Sequence, residues 1–438
     1  MSVRAYFLKK QKWLYCAASC LFFLLPLIRI AVLKIKNGLF LVDFCAYCDV
    51  SLSLFRGRHP YPDHMELLTI EQWSEVPIVY PGHMILFAPL GYLWGNTLLI
   101  AWVVLNIIAI YFIVALTLVK ACGFNWQDLW LPGKKQFLYV FCSSCFLASS
   151  NAMTTMRIGQ IPVILTLCLY AMFWGPDSLV LRAFLFSIIA VTKYSLLTVF
   201  APLLFFKGHW KLCIAGFAIF VFFSISPVFC GNNLVEVYKG YIETLKFSFQ
   251  PDEINHYATS GMSMCHLGFL KNPILNSLLK SLAIIPILWL FWKERSSSYL
   301  SDTLLLLAFS LTMLISYHQF YDFSLIFPLF FIRLFAFAKE RNWGLFGVTA
   351  LFPLFLLVPG TLVLKISSWI GGVPGIGSFI YLVDNPWGKP FLHVFPLMAF
   401  YSIALAAWSL YLYLRVKDPY RFELPVTARP ASNSEESE

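Results

Sequence analysis

Trp13-Leu14-Tyr15-Cys16-Ala17-Ala18-Ser19-Cys20-Leu21-Phe22-Phe23-Leu24-Leu25-Pro26-Leu27-Ile28-Arg29-Ile30-Ala31-Val32-Leu33 is an apolar run, and Leu41-Val42-Asp43-Phe44-Cys45-Ala46-Tyr47 follows it. At about 1.5 Å per residue the run crosses the roughly 30 Å hydrocarbon layer of a bilayer as one helix. Arg4, Lys9, Lys10 and Lys12 precede it, and no small-residue cleavage site follows. The expectation is an uncleaved signal anchor with its basic end in the cytoplasm. Asp43 then falls just beyond the far membrane surface. An acid among tyrosines and arginines is costly to hold there and suited to proton transfer.

Working outward, the same signal recurs along the chain. Apolar spans are read at 13–33, 82–95, 97–119, 136–153, 158–174, 179–206, 211–230, 274–292, 301–318, 322–338, 343–364 and 391–414. That gives an all-α polytopic membrane protein of about 12 transmembrane helices. The composition agrees: 59% of the 438 residues are hydrophobic and 12% charged, against about 25% charged in soluble proteins. The net charge of +10 does not point to nucleic acid, because the basic residues sit in short inter-helix loops, where they direct topology.

With the N-terminus inside, Lys207 to Lys211, Lys293-Glu294-Arg295, Lys339-Glu340-Arg341 and the segment with Arg415 and Lys417 fall in the cytoplasm. Residues 120–135 disagree: they carry Lys120, Lys134 and Lys135 yet fall outside. Long outer loops are expected at 34–81, 231–273 and 365–390, joined by the turn at Tyr317-His318-Gln319-Phe320-Tyr321-Asp322. Residues 1–418 make one membrane domain, and 419–438 read as a disordered cytoplasmic tail. The absence of any N-x-[ST] sequon favours a bacterial inner membrane.

Residues 42–56 repeat apolar positions at helical spacing, with Phe44, Tyr47 or Cys48, Leu52 and Phe55 on one side. The expectation is an amphipathic helix lying in the interface. Asp43 at its start serves either as a helix cap or as an acid–base group. Arg56, Arg58 and His59 follow and serve either phosphates or lipid headgroups. Tyr61 and Tyr80, each beside a proline, read as interfacial anchors or sugar-stacking residues. Lys193 lies in Ile189-Ala190-Val191-Thr192-Lys193-Tyr194 and requires a partner or a polar cavity. His318 and Asp322 are read either as site residues or as a satisfied interfacial histidine and a helix cap.

Cys45 and Cys48 lack the second ligand pair of a zinc site, and Cys230 with Cys265 could bridge the second outer loop. Asp43, Asp49, Asp63 and Glu66 form no compact cluster, so no cofactor is expected and any need for a divalent metal stays open. Walker, Rossmann and H-E-x-x-H patterns are absent.

The loops resemble glycosyltransferase family 87. The resemblance rests on Asp43-Phe44 with Tyr47, Arg56-Gly57 and Pro60-Tyr61; on Tyr80-Pro81 with Ala88-Pro89-Leu90; on Arg157 before Gly159-Gln160, with Lys193 one helix later; and on Tyr317-His318 with Tyr321-Asp322. Two departures stand out: Tyr80-Pro81-Gly82 where the family has Tyr-Pro-Pro, and Ile161-Pro162 after Gln160 where an Asn is usual. The resemblance implies a GT-C fold and transfer of a hexose, mannose by analogy, from a polyprenyl-phosphate donor to a glycolipid or glycan acceptor with inversion, at an extracytoplasmic site among membrane lipids. Asp43 would be the general base. Arg56, Arg58, Lys193 and His318 would meet the donor phosphate, and Tyr47, Tyr80, Gln160 and Asp322 would help bind substrate. The expected topology sets Gln160 toward the cytoplasm, in conflict with that role. The competing reading is a multi-pass transporter or lipid-carrier flippase, which should show internal repeats.

Overall fold

The computed structural model describes residues 3–36, 42–58, 80–93, 96–193, 196–248, 284–297, 299–315, 320–358 and 394–423. It is an all-α membrane protein. Helix α1 is Val3–Lys36, α2 Val42–Phe55, α3 Met84–Gly91, α4 Asn96–Lys120, α5 Lys134–Ala148, α6 Ser150–Ile158, α7 Pro162–Trp174 and α8 Leu179–Thr192. Then come α9 Leu197–Phe206, α10 Trp210–Ile225, α11 Leu234–Ser248, α12 at 284–293, α13 Asp302–Ile315, α14 Phe327–Lys339, α15 Trp343–Leu357 and α16 Val394–Arg415. Among the described residues, the apolar stretches Gln11–Val32, Thr97–Lys120 and Trp210–Cys230 are long enough to cross a membrane, and the bent pair α5–α6 makes a fourth.

Four expected spans differ from the helices formed. The stretch 82–95 holds only the eight-residue α3, about 12 Å long and too short to cross. The stretches 136–153 and 158–174 divide differently, as α5 and α6 bent by 60°, with α7 after them. At the bend Ser149 caps α6, its side chain accepting from Ala152 N, and Arg29 of α1 donates to the freed Ala148 carbonyl at 2.6 Å. Gly159 ends α6 in the left-handed region, and Pro162 opens α7, where its missing N–H costs nothing. The stretch 179–206 breaks into α8 and α9 at Lys193, which lies at the end of α8 rather than inside a helix.

These changes move the loop that broke the charge rule. Tyr420 Oη donates to the Lys120 carbonyl at 3.0 Å, and Trp174 Nε1 donates to Tyr420 Oη at 3.2 Å. Lys207 donates to the carbonyls of Glu294 and Ser297, and Tyr413 Oη donates to Glu294 at 2.7 Å. The ends of α4, α7 and α9, and residues 294–297, therefore share one end of the bundle. Lys120 joins the basic cluster instead of opposing it.

The same end is closed by β1 (Tyr299–Ser301) paired antiparallel with β2 (Arg421–Glu423). Phe422 is buried against Tyr170, Phe173 and Trp174. Residues 419–423, read as part of a disordered tail, are thus structured because an aromatic side chain finds a pocket. Residues 424–438 lie outside the described residues, as does the outer loop 365–390. Next to the clasp, Arg333 of α14 pairs with Asp302 at the start of α13, both fully buried.

Candidate functional site

The opposite end gathers Asp43. Helix α2 begins one residue before it, so the carboxylate sits in the first turn, where the helix dipole favours it. The expected interfacial helix is instead enclosed: Phe44, Ala46 and every residue from Cys48 to Leu54 are buried. Helix α3 packs along it, and Phe44 stacks on Trp102 of α4 with ring centroids 4.0 Å apart. Both faces of α2 are covered, so its period does not report a lipid-facing side.

Gly159 brings the second component. Its φ of 84° suits glycine, and a Cβ there would lie 2.7 Å from the backbone nitrogen of Phe44. Only a residue without a side chain lets the end of α6 rest on the start of α2. Gln160 then donates from Nε2 to Asp43 Oδ2, and Tyr47 Oη donates to Gln160 Oε1 at 3.0 Å. Gln160 is therefore at the site and not at the far side as the topology expected. The misplacement came from counting α3 as a crossing. Asp43 keeps part of its surface open. Burial pushes its carboxyl up to about 6, against the opposing pull of the Gln160 hydrogen bond.

Tyr80 precedes the tight turn Pro81–His83. Its hydroxyl hydrogen-bonds Ser224 Oγ at 2.8 Å and accepts from Tyr238 Oη at 3.1 Å. Gly82 fits because a Cβ would come within 3.2 Å of Val191 Cγ1 in α8. That close approach gives a physical reason for glycine at the position where a second proline was the pattern. His83 is buried edge-on between Tyr47 and Phe87, at centroid distances of 5.7 and 5.3 Å. Neither ring nitrogen makes a hydrogen bond of standard geometry. Burial pushes it down to about 3, with the Val191 backbone opposing, so the ring is neutral.

Lys193 pairs with Asp322, whose side chain is fully buried. Asp322 lies in the turn Phe320–Ile326, which packs on α6 and α7: Asn151 donates to Ser324 Oγ at 3.2 Å and Tyr170 to the Leu325 carbonyl at 3.1 Å. The partner that Lys193 required is thus an acid from a distant turn, joined to the Asp43 region through α6.

Arg56 and Arg58 are not brought to Asp43. They end α2, 13 and 15 residues on, about 20 Å along the axis. Both are exposed. The helix closes there with Gly57 at φ 69° and hydrogen bonds from Gly57 N to Leu54 O and Arg58 N to Ser53 O. Asn232 Nδ2 donates to the Leu54 carbonyl at 2.6 Å, and the Arg56 guanidinium lies 6.0 Å from the Tyr92 ring.

His318, with His59 and Tyr61, lies outside the described residues. Cys45, Cys48 and Cys230 are free thiols, and Cys265 is also outside. Among the described residues no three His, Cys, Asp or Glu side chains converge.

Sequence reasoning missed His83, Ser224 and Tyr238. A histidine directly after Tyr80-Pro81-Gly82 was a usable signal for the first. Nothing local marked the other two, because their partners lie more than a hundred residues away.

A family model described as glycosyltransferase family 87 matches residues 79–316. The matched segment holds Tyr80, His83, Gln160 and Lys193; Asp43, Tyr47 and Asp322 fall outside it and reach the site through their contacts with Gln160 and Lys193. No curated protein and no solved structure matches the chain.

Proposed function

This chain belongs to glycosyltransferase family 87, and from that membership we propose that it moves a hexose, mannose in the first instance, from a polyprenyl phosphate to a glycolipid or glycan hydroxyl on the extracytoplasmic side of a bacterial plasma membrane. Membership makes it a glycosyltransferase and sets aside the transporter reading. Sidedness is supported by the basic end of the bundle: Lys120, Lys207 and residues 294–297 share it, while Asp43 lies at the other end. Positive loops stay in the cytoplasm.

The observation that carries the mechanism is the hydrogen bond from Gln160, inside the family-matched segment, to Asp43. It ties this carboxylate to the family's part of the chain. Asp43 takes the proton of the acceptor hydroxyl as that oxygen bonds to the anomeric carbon. The bond from that carbon to the donor phosphate oxygen breaks, and polyprenyl phosphate leaves with the electron pair. Direct displacement inverts the anomeric centre and requires no second carboxylate as nucleophile. A carboxyl near 6 is ionised at neutral pH yet basic enough to accept a proton in the transition state. The departing phosphate needs a cation. Lys193, with 18% of its side chain exposed at the end of α8, fills that role, with Tyr47 and Tyr80 lining the approach. Arg56 and Arg58 serve the lipid side of the donor.

The test supplies purified protein in lipid nanodiscs with radiolabelled polyprenyl-phosphate mannose and a mixed lipid-extract acceptor. Transfer with inversion, lost in Asp43→Asn, is expected. Equal turnover with a nucleotide sugar alone, or full activity in Asp43→Asn, refutes it.

A further inference from the structure

We propose that Gln160 and Tyr47 are positioning residues that hold Asp43 oriented and ready to accept a proton. The proposal rests on the reading of Asp43 as base.

The argument is one of donor and acceptor matching. An amide side chain has one donor end and one acceptor end. An ionised carboxylate only accepts, so the NH2 of Gln160 must face Asp43. Its oxygen then faces Tyr47, and the tyrosine hydroxyl must donate, as it does. Residues 43 and 47 lie one turn apart on α2, on the same face, so both reach a single side chain from the α6–α7 junction. Gly159 makes that approach sterically possible. The Tyr47 ring is itself wedged against His83 and Phe87.

The arrangement distinguishes the two states of the acid. A protonated Asp43 could still accept from that NH2 through its carbonyl oxygen, but the bond to the ionised carboxylate is charge-assisted and stronger, so the arrangement favours the ionised form. As built, the relay matches the ionised base.

Other titratable groups near α2 do not supply this effect. Packed on or clustered with it are α3, which has none, α4 through Trp102, α6, the turns Pro81–His83 and Ser226–Cys230, and α11 through Val237 and Tyr241. These carry His83, which is neutral, Arg157, which is exposed, Cys230, and on α11 Tyr238 and Tyr241 with Glu236 and the exposed pair Lys239–Glu243. On α2 itself Cys45, Cys48 and Asp49 add no positive charge.

The experiment measures kcat/KM against pH for the wild type, Gln160→Met and Tyr47→Phe, with polyprenyl-phosphate mannose as donor. The acid limb should move to higher pH by about one unit in Gln160→Met and by less in Tyr47→Phe. Activity should recover on the alkaline plateau to within roughly tenfold of wild type, because the base is still present. Should Gln160→Met fail to fold, Tyr47→Phe decides alone, since it keeps the ring packing. An acid limb unmoved in the folded variants, with activity lowered equally at every pH, makes both residues packing groups and overturns the proposal while Asp43 stands. An active Asp43→Asn removes the base reading itself, and this proposal with it.

Discussion

Lys193 and Asp322 form an ion pair between residues 129 positions apart, the acid fully buried and the lysine partly open. Breaking one half of such a pair leaves an uncompensated charge, at roughly 3–5 kcal/mol; removing both halves costs far less. Asp322 therefore steadies Lys193 at the end of α8 whether or not phosphate is present. The expected result is that Lys193→Met unfolds at a markedly lower temperature, and that Lys193→Met with Asp322→Asn regains most of that loss. The double variant should still transfer sugar at least ~10²-fold more slowly, as expected for removal of a group that stabilises transition-state charge. Melting curves and turnover on the same samples check it. A double variant with full activity would make the pair structural only.

Asp43→Asn should separate activity from stability. Loss of the base is expected to cost ~10²–10⁴-fold in rate. The buried carboxyl titrates near 6, above its ordinary 3.8. Between about pH 4 and 6 the folded protein holds the proton more tightly than the unfolded chain, so stability falls as pH rises through that window and stays lower above it. The neutral amide escapes this penalty. At pH 7.5 the variant should therefore be as stable as wild type or more so, by on the order of 1–2 kcal/mol. Near pH 4 the difference should vanish. Thermal melting across this range is the measurement, and a variant less stable at both pH values contradicts the assignment.

Gly159→Ala should be disabling without touching a polar group. The left-handed backbone strains any side chain, and the new methyl meets the Phe44 backbone. Local strain of about 1–3 kcal/mol is expected, together with a lost Gln160–Asp43 alignment. Turnover should fall by at least tenfold while membrane insertion, read by expression level, stays normal. Wild-type turnover would mean that α6 need not rest on α2.

Phe422→Ala tests the clasp at the basic end. A large aromatic removed from a closed pocket typically costs 3–5 kcal/mol, and Phe422 is 1% exposed. The variant should melt earlier, with KM unchanged at temperatures where it stays folded, because the site lies at the other end. A raised KM would indicate coupling between the ends.

Membrane class, the helical character of almost every described segment and the location of Asp43 near the start of the first polar stretch were legible from residue order. They depend on local quantities: apolar run length, basic flanks and one acid after a spanning helix. The number and direction of crossings were less legible, because a hydropathy run does not reveal where a helix breaks. Ser149 and Lys193 break helices through capping and an ion pair with residues far along the chain, and α3 is apolar without being long. That error placed Gln160 on the wrong side.

By itself, then, the order of residues determined a lipid-embedded helical chain with an acid beyond its first span, since burying apolar surface in a bilayer is decided segment by segment. Only the tertiary structure decided that Tyr47, Gln160 and Asp43 form one hydrogen-bonded set and that Lys193 belongs to Asp322. Such pairings depend on which helix ends meet, and that is governed by close approaches such as Gly159 on Phe44, which no local pattern encodes.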